Sequence, residues 1–215
     1  MIILFDFNND MIKAWRKVFN NEKEFLIKQC KFQDLDGYNY LVSPANSFGY
    51  MDGGIDGHYS DKYDGIGVVV QKRIAEIGIK NISNQNYLPV GSVITVDIPD
   101  TKRKLIVAPT MYYPSNIQNT NNVYHVFRAI LEIYGRNQNI VMAVPGLGTG
   151  VGRIDEETCA TDMAKAYKDF VGRVALKPEI PHNLILNDQK DLVYNGTICY
   201  QNNTDMNVLI RNGQL

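Results

Sequence analysis

Five short, uninterrupted apolar runs restrict the fold of this chain more than any other feature: residues 2–5 (IILF), 25–27 (FLI), 40–42 (YLV), 105–108 (LIVA) and 140–144 (IVMAV). A strand with one wet face alternates apolar and polar residues. A continuous apolar run is expected where both faces are covered, as in a parallel sheet flanked by helices. The intervening segments supply those helices. Asn8, Asn9 and Asp10 are helix-capping residue types, and Met11, Trp15, Val18 and Phe19 recur behind them at helical spacing, which predicts a helix over about 10–20. Ile66, Val70, Ile74 and Ile77 share one face of a helix over about 61–77. The series Val123, Val126, Phe127, Ile130, Leu131 and Tyr134 marks another, and Cys159, Met163, Tyr167 and Phe170 mark a last one over about 155–170, opened by Asp155, Glu156 and Glu157. Val93, Ile94 and Val96 add a further strand. Strand and helix therefore alternate, which predicts an α/β fold: a three-layer α/β/α sandwich around a central mixed, mostly parallel sheet. The expected organisation is one domain over 1–173, including an N-terminal strand–helix extension of about 1–24. A small C-terminal appendage over 174–215 follows, with a strand or hairpin between Leu192 and Tyr200.

Charge removes one class of function. With 22 Lys+Arg against 23 Asp+Glu, the chain has no basic excess to neutralise a run of phosphates, so a general nucleic-acid binder is not expected. The three cysteines, Cys30, Cys159 and Cys199, are widely spaced and odd in number. They make neither a disulfide framework nor a metal site, and no cofactor is expected. The first ten residues lack the basic flank and long apolar stretch of a secretory signal, and no apolar run approaches the ~20 residues that span a bilayer. A soluble, cytoplasmic protein without membrane contact is the expectation.

Two segments stand apart. Residues 43–60, SPANSFGYMDGGIDGHYS, carry four glycines and no apolar period, and read as one long loop directly after a strand. Residues 145–153, PGLGTGVGR, place Gly146, Gly148, Gly150 and Gly152 at alternate positions, again after a strand and before a helix. In open α/β sheets ligands bind beyond the carboxyl ends of the strands, where both segments fall. Glycine lets backbone N–H groups approach a ligand, and a helix N-terminus favours an anion. The spacing is neither the dinucleotide fingerprint, since Val151 stands where its third glycine belongs, nor a Walker A loop. A tight strand-to-helix turn is the plain alternative, but four alternating glycines exceed what a turn needs. A diphosphate cradle fits better, with the helix near 155 expected to add its dipole. Within the first loop Asn46 can hydrogen-bond sugar hydroxyls, and Asp56 can orient or deprotonate a water. Taken singly, Asp56 is also a turn former and His58 a surface or packing histidine.

Together Ser43-Pro44-Ala45-Asn46, then Gly53-Gly54-Ile55-Asp56, then residues 145–152 resemble the macro domain family, in order and at the expected strand ends, over about 25–172. The resemblance implies ADP-ribose or a derivative as ligand. Asp34 and Leu35 look like the segment whose Asp meets the adenine amine, and Asn46 like the Asn at the distal ribose. Gly53, Gly54 and Ile55 resemble the first phosphate loop; Gly146, Gly148, Thr149, Gly150, Val151 and Gly152 resemble the second. Asp56 sits where hydrolytic members carry the Asp that positions water, with His58 the next candidate. The departures are Gln33 for Gly before the Asp, Ser43-Pro44 for the usual Asn-Ala, and Gly152 where many hydrolytic members carry an aromatic against the distal ribose.

Two functions follow from the resemblance, and a structural or assembly protein that keeps the fold without the ligand is the third reading. One is hydrolysis of a bond at the distal ribose, by removal of ADP-ribose from protein or nucleic acid or by processing of ADP-ribose 1″-phosphate. The alternative is a module that reads ADP-ribose or a related nucleotide signal without chemistry.

Overall fold

The computed structural model describes residues 1–136 and 139–172, with the backbone of 193–194 and 197–198. Each apolar run forms a strand: β1 (Ile2–Asp6), β2 (Phe25–Gln29), β3 (Tyr40–Ser43), β4 (Ser92–Asp97), β5 (Lys104–Val107) and β6 (Met142–Val144). They lie in the order β2-β1-β6-β3-β5-β4. The contacts β1–β2, β1–β6, β3–β6 and β3–β5 are parallel, and β4 runs antiparallel to β5. The sheet is thus mixed and mostly parallel. Two short antiparallel strands, β7 (Val193–Tyr194) and β8 (Thr197–Ile198), continue it beyond β4. The rest of the expected C-terminal appendage, Leu192, Cys199 and Tyr200 among it, lies outside the described residues.

Alternate residues of β1, β3, β5 and β6 divide between two cores, whereas the run in the edge strand β2 is covered on one face only and leaves Leu26 40% exposed. Ile2 and Leu4 of β1, Val42 of β3, Ile106 of β5 and Met142 and Val144 of β6 point to one face. There they meet α1 (Asn9–Phe19), α4 (Asn122–Arg136) and α5 (Glu156–Val171). Ile3, Phe5, Leu41, Leu105, Val107 and Ala143 point to the other, beneath α2 (Gly54–Lys62) and α3 (Ile66–Ile77). Burial on both faces is why these runs lack a polar alternate. The N-terminal unit is built into the sheet, since β1 pairs with both β2 and β6. Its helix α1 is capped by Asn8, whose Oδ1 accepts from Asp10 N at 2.9 Å, and docks Trp15 so that its Nε1 reaches Met163 Sδ of α5 at 3.4 Å.

One segment departs from the sequence-based expectation. Residues 43–60 are not a single loop, because a helix, α2, begins at Gly54 inside them. The span 61–77, expected as one helix, holds the end of α2 and the whole of α3. The chain leaves α2 at Tyr63 and enters α3 through Gly65, which adopts φ 75°, a left-handed conformation that favours glycine. The face Ile66, Val70, Ile74 and Ile77 is buried as expected.

Candidate functional site

The strand order brings the two glycine segments together. β3 and β6 are adjacent and parallel, with Tyr40 opposite Met142 and Leu41 opposite Ala143, so the connections that follow them leave the same edge of the sheet side by side. β1 and β2 end on that edge too, which adds Asp6 and, one turn beyond β2, Asp34.

The first segment turns into α2 at Gly53 and Gly54. Gly53 is the N-cap and offers no side chain to the helix, so the first N–H groups of α2 have no capping partner. Gly54 needs its φ of 55°, and a Cβ at Gly53 or Gly54 would meet nothing within 4 Å. The result is an exposed helix N-terminus with unpaired donors and no side chain in front of it, an arrangement that favours an anion. The end of α5 is different. Asp155 Oδ1 accepts from Thr158 N at 2.9 Å, and Glu156 and Glu157 occupy the first turn. Carboxylates already serve that terminus. The helix near 155, expected to face the ligand with its dipole, thus carries a side-chain cap at its N-terminus, and α2 carries none.

The second segment is held by its own backbone: Ile154 N donates to Gly148 O at 3.1 Å, Arg153 N to Gly150 O at 3.0 Å, and Ile117 N to Gly152 O at 2.9 Å. Its four glycines serve two purposes. Gly148, with φ 72°, turns inward, where a Cβ would stand 3.0 Å from Ile117 Cδ1 and 3.3 Å from Ile154 Cγ1. Gly146 and Gly152 are also closely packed, and a Cβ added at Gly152 would collide with Gly148 O. These three shape the loop. A Cβ at Gly150 would meet nothing within 4 Å, and Gly150 and Val151 are exposed with Thr149 half-buried. The face left open to a ligand is thus Thr149, Gly150 and Val151. The packing of Gly152 also explains the missing aromatic, because this loop closes where that side chain would start.

Asp56 lies in the first turn of α2 and faces inward with Tyr59, whose hydroxyl donates to Val42 O at 3.0 Å. The Asp56 carboxyl is buried against the end of β3. Burial pushes it up from 3.8 to about 7, while the nearby Ser43 hydroxyl works in the opposite direction. Neither Asp56 Oδ1 nor Ser43 Oγ completes a hydrogen bond. Asp56 is thus a carboxyl with an unused acceptor and a proton affinity near neutrality.

The remaining candidates fall in different places. The Asn46 side chain is engaged with its own loop: Oδ1 accepts from Phe48 N at 3.0 Å and Tyr50 N at 3.3 Å, and Nδ2 donates to Tyr50 O at 3.0 Å. It organises the turn over 46–50. His58 is exposed on α2, two residues and about 200° around the helix from buried Asp56. The structure does not bring the pair together. Asp34 is exposed at the end of the single 3-10 turn Phe32–Asp34, Leu35 is buried beneath it, and Ile55 is half-buried beside Asp56.

Two features escaped the sequence reading. Asp6, at the end of β1, accepts from Asn8 N at 2.9 Å and lies against Gly146, and burial raises its pKa. The other is a cluster of aromatic rings, Phe48, Tyr50, Tyr112 and Tyr113, beside the Asn46 turn. The dipeptide Tyr112-Tyr113 in an otherwise polar loop was its only sequence signal.

Known proteins resemble this chain in sequence and in fold. The Macro domain family model matches residues 42–163, more than half of the chain. An uncharacterized protein of Aquifex aeolicus (strain VF5) is 32% identical over 132 residues, spanning 60% of this chain and 73% of that protein. Among solved structures, the macrodomain of Mycobacterium tuberculosis DarG superposes with a TM-score of 0.52 at 20% identity, covering 66% of this chain and 89% of that one. Thermosipho africanus DarTG in complex with ADP-ribose gives 0.48 at 17% identity, over 61% of this chain and 35% of its own length. With its glycine segments on adjacent parallel strands and the family's motifs carried by them, this chain belongs to the Macro domain family.

Proposed function

We propose that the protein binds ADP-ribose, or a nucleotide derivative of it, in the cleft between residues 44–54 and 145–152, and hydrolyses a bond at the distal ribose. Support for binding comes from family membership and from two sets of backbone donors on the connections that follow adjacent strands, the uncapped start of α2 and the open face of Thr149, Gly150 and Val151. In this reading the diphosphate rests between them and Asp34 accepts a hydrogen bond from the adenine amine. Asn46 holds the turn that borders the distal ribose.

The observation that carries the chemistry is Asp56. Burial raises its pKa to about 7, which suits it to take a proton from a water that reaches its unpartnered Oδ1 from the distal ribose. The closed packing of Gly152 favours the second reading, a non-catalytic reader, because the ribose then lacks an aromatic wall and misplacement is costly in rate. Titration calorimetry with ADP-ribose tests the first step, and absence of binding refutes both readings. Product analysis on mono-ADP-ribosylated protein and on ADP-ribose 1″-phosphate then separates them. Turnover that is lost in Asp56→Ala with affinity retained supports hydrolysis, and binding with no turnover by the parent leaves the reader.

A further inference from the structure

Two residues of the N-terminal unit meet the second glycine segment at both of its ends. The parallel register of β1 with β6 sets Leu4 opposite Val144, so two residues further on Asp6 comes to Gly146, the first glycine of the segment. By the alternation of a strand, Asp6 shares the face of Ile2 and Leu4, on which α1 and α5 pack. Its carboxyl accepts from Gly146 N and Phe7 N, and from Asn8 N at 2.9 Å. A Cβ at Gly146 would stand 2.9 Å from Asp6 Oδ2 and 3.5 Å from Met11 Sδ, so glycine at this position lets the carboxyl close on the backbone. The far end of the segment is held by Asn8. Its Nδ2 donates to Glu156 Oε1, in the first turn of α5, at 2.7 Å, while its Oδ1 caps α1 through Asp10 N at 2.9 Å.

A carboxylate taken out of water is costly unless its oxygens accept hydrogen bonds, and N–H bonds to a charged acceptor are stronger than neutral ones. Asp6 therefore draws the start of the segment onto the end of β1. Asn8 does the same for the start of α5. The anchor itself is firm. Cys30 N donates to Asp6 O at 3.1 Å, which joins β2 to the same point, and Lys17 Nζ of α1 meets Glu157 Oε1 of α5 at 2.9 Å. Thr149, Gly150 and Val151 lie between the two tied ends. A glycine-rich stretch is otherwise rich in accessible conformations, and fixing both ends removes most of them.

We infer that Asp6 and Asn8 are the positioning residues of the second glycine loop: they hold its two ends so that its open N–H groups are in place before a diphosphate arrives, and nucleotide affinity is set from the N-terminal unit. This rests on the ADP-ribose reading above. Donors fixed in advance bind more tightly, because the ordering of the loop is complete before the ligand enters.

The test exchanges donor and acceptor across the Asn8–Glu156 bond, with ADP-ribose as the probe in calorimetry. Asn8→Asp still caps α1, where Asp and Asn serve about equally, but sets a carboxylate against Glu156. It should weaken ADP-ribose binding about tenfold. Adding Glu156→Gln gives the new carboxylate an amide donor and should restore affinity to within about threefold of the parent. Asp6→Asn, which sets an amide donor against one of the N–H groups around it, should also cost about tenfold. Amide hydrogen exchange locates the effect: in Asn8→Asp the amides of Arg153 and Ile154 should exchange faster, while those within α1 keep the parent's protection. A folded Asn8→Asp or Asp6→Asn that binds ADP-ribose as the parent does overturns the inference and leaves the nucleotide site standing. So does a loss that Glu156→Gln fails to restore. Exchange accelerated through α1 as much as in the loop overturns it too, since that marks a general loosening. A parent that binds no ADP-ribose removes the inference and the functional reading together.

Discussion

Replacing Asp56 by Asn separates a buried, proton-hungry carboxyl from an ordinary one. In the folded protein the group titrates at about 7 because burial penalises the charged form, whereas in the unfolded chain it returns to 3.8. Between those values the native state holds a proton that the unfolded state has released. Stability from this group is therefore greatest below about pH 4 and declines as pH rises, by about 1.4 kcal/mol per unit, levelling off above pH 7. The full window is worth about 4 kcal/mol. Asparagine keeps the shape and carries no charge at any pH. Asp56→Asn should match the parent near pH 4 and exceed it increasingly towards pH 8. All other titrations are common to both proteins and cancel in the difference. With a urea dependence of about 2–3 kcal/mol per molar, the midpoints should separate by more than about 1 M at pH 8. Urea unfolding of both proteins at pH 4.5, 6, 7 and 8.5 measures this. A difference that stays constant with pH would refute the burial argument, and with it the poised base. If the base assignment holds, hydrolysis by the parent rises with pH through a midpoint near 7, since only the ionised carboxyl can accept the proton.

Gly150→Ala adds a methyl group to open space, so thermal stability should change by less than about 0.5 kcal/mol while calorimetry shows ADP-ribose affinity falling about tenfold or more. Retained affinity would move the diphosphate elsewhere. Gly148→Glu should lose its fold, because the side chain enters the core at a positive φ; a folded, soluble variant by circular dichroism would contradict the packing. Asp34→Ala should weaken ADP-ribose binding by about one to two orders of magnitude and reduce preference over inosine analogues, as loss of one charge-assisted hydrogen bond requires. Asn46→Ala removes all three side-chain bonds of the 46–50 turn and should lower stability by about 1–3 kcal/mol in urea unfolding, with weaker ligand binding as a consequence; unchanged stability would return Asn46 to the ligand.

The strands and the long helices were legible because their burial is periodic. Ile2 through Phe5 and the face Val123, Val126, Phe127 and Ile130 announce themselves by apolar spacing alone. Helix α2 did not, for a reason tied to function. Its inward face is Asp56, Tyr59 and Tyr63, so the first inward position is a carboxyl where an apolar residue would have marked the helix. Its cap is a glycine, which removes the usual start signal too. The same two choices that hide the helix leave its donors free and its acid buried. The glycines show the converse limit. Their spacing located the second loop, but only the backbone conformation distinguishes Gly148, turned into the core, from Gly150, turned out.

The scarcity of cations in the two segments fits this division of labour. No Lys or Arg occurs in residues 43–60, Arg153 is the only one in 145–155, and Asp6, Asp34, Asp52 and Glu156 lie in or beside the two segments and strand ends. A diphosphate entering such a site gains nothing from the general field and must be held by N–H groups at close range. Binding then depends on the loops standing at the right separation. That separation is set by a single structural fact, the adjacency of β3 and β6, which in turn requires β1 on the other side of β6. The N-terminal strand, which precedes the motifs, thereby belongs to the machinery that positions them.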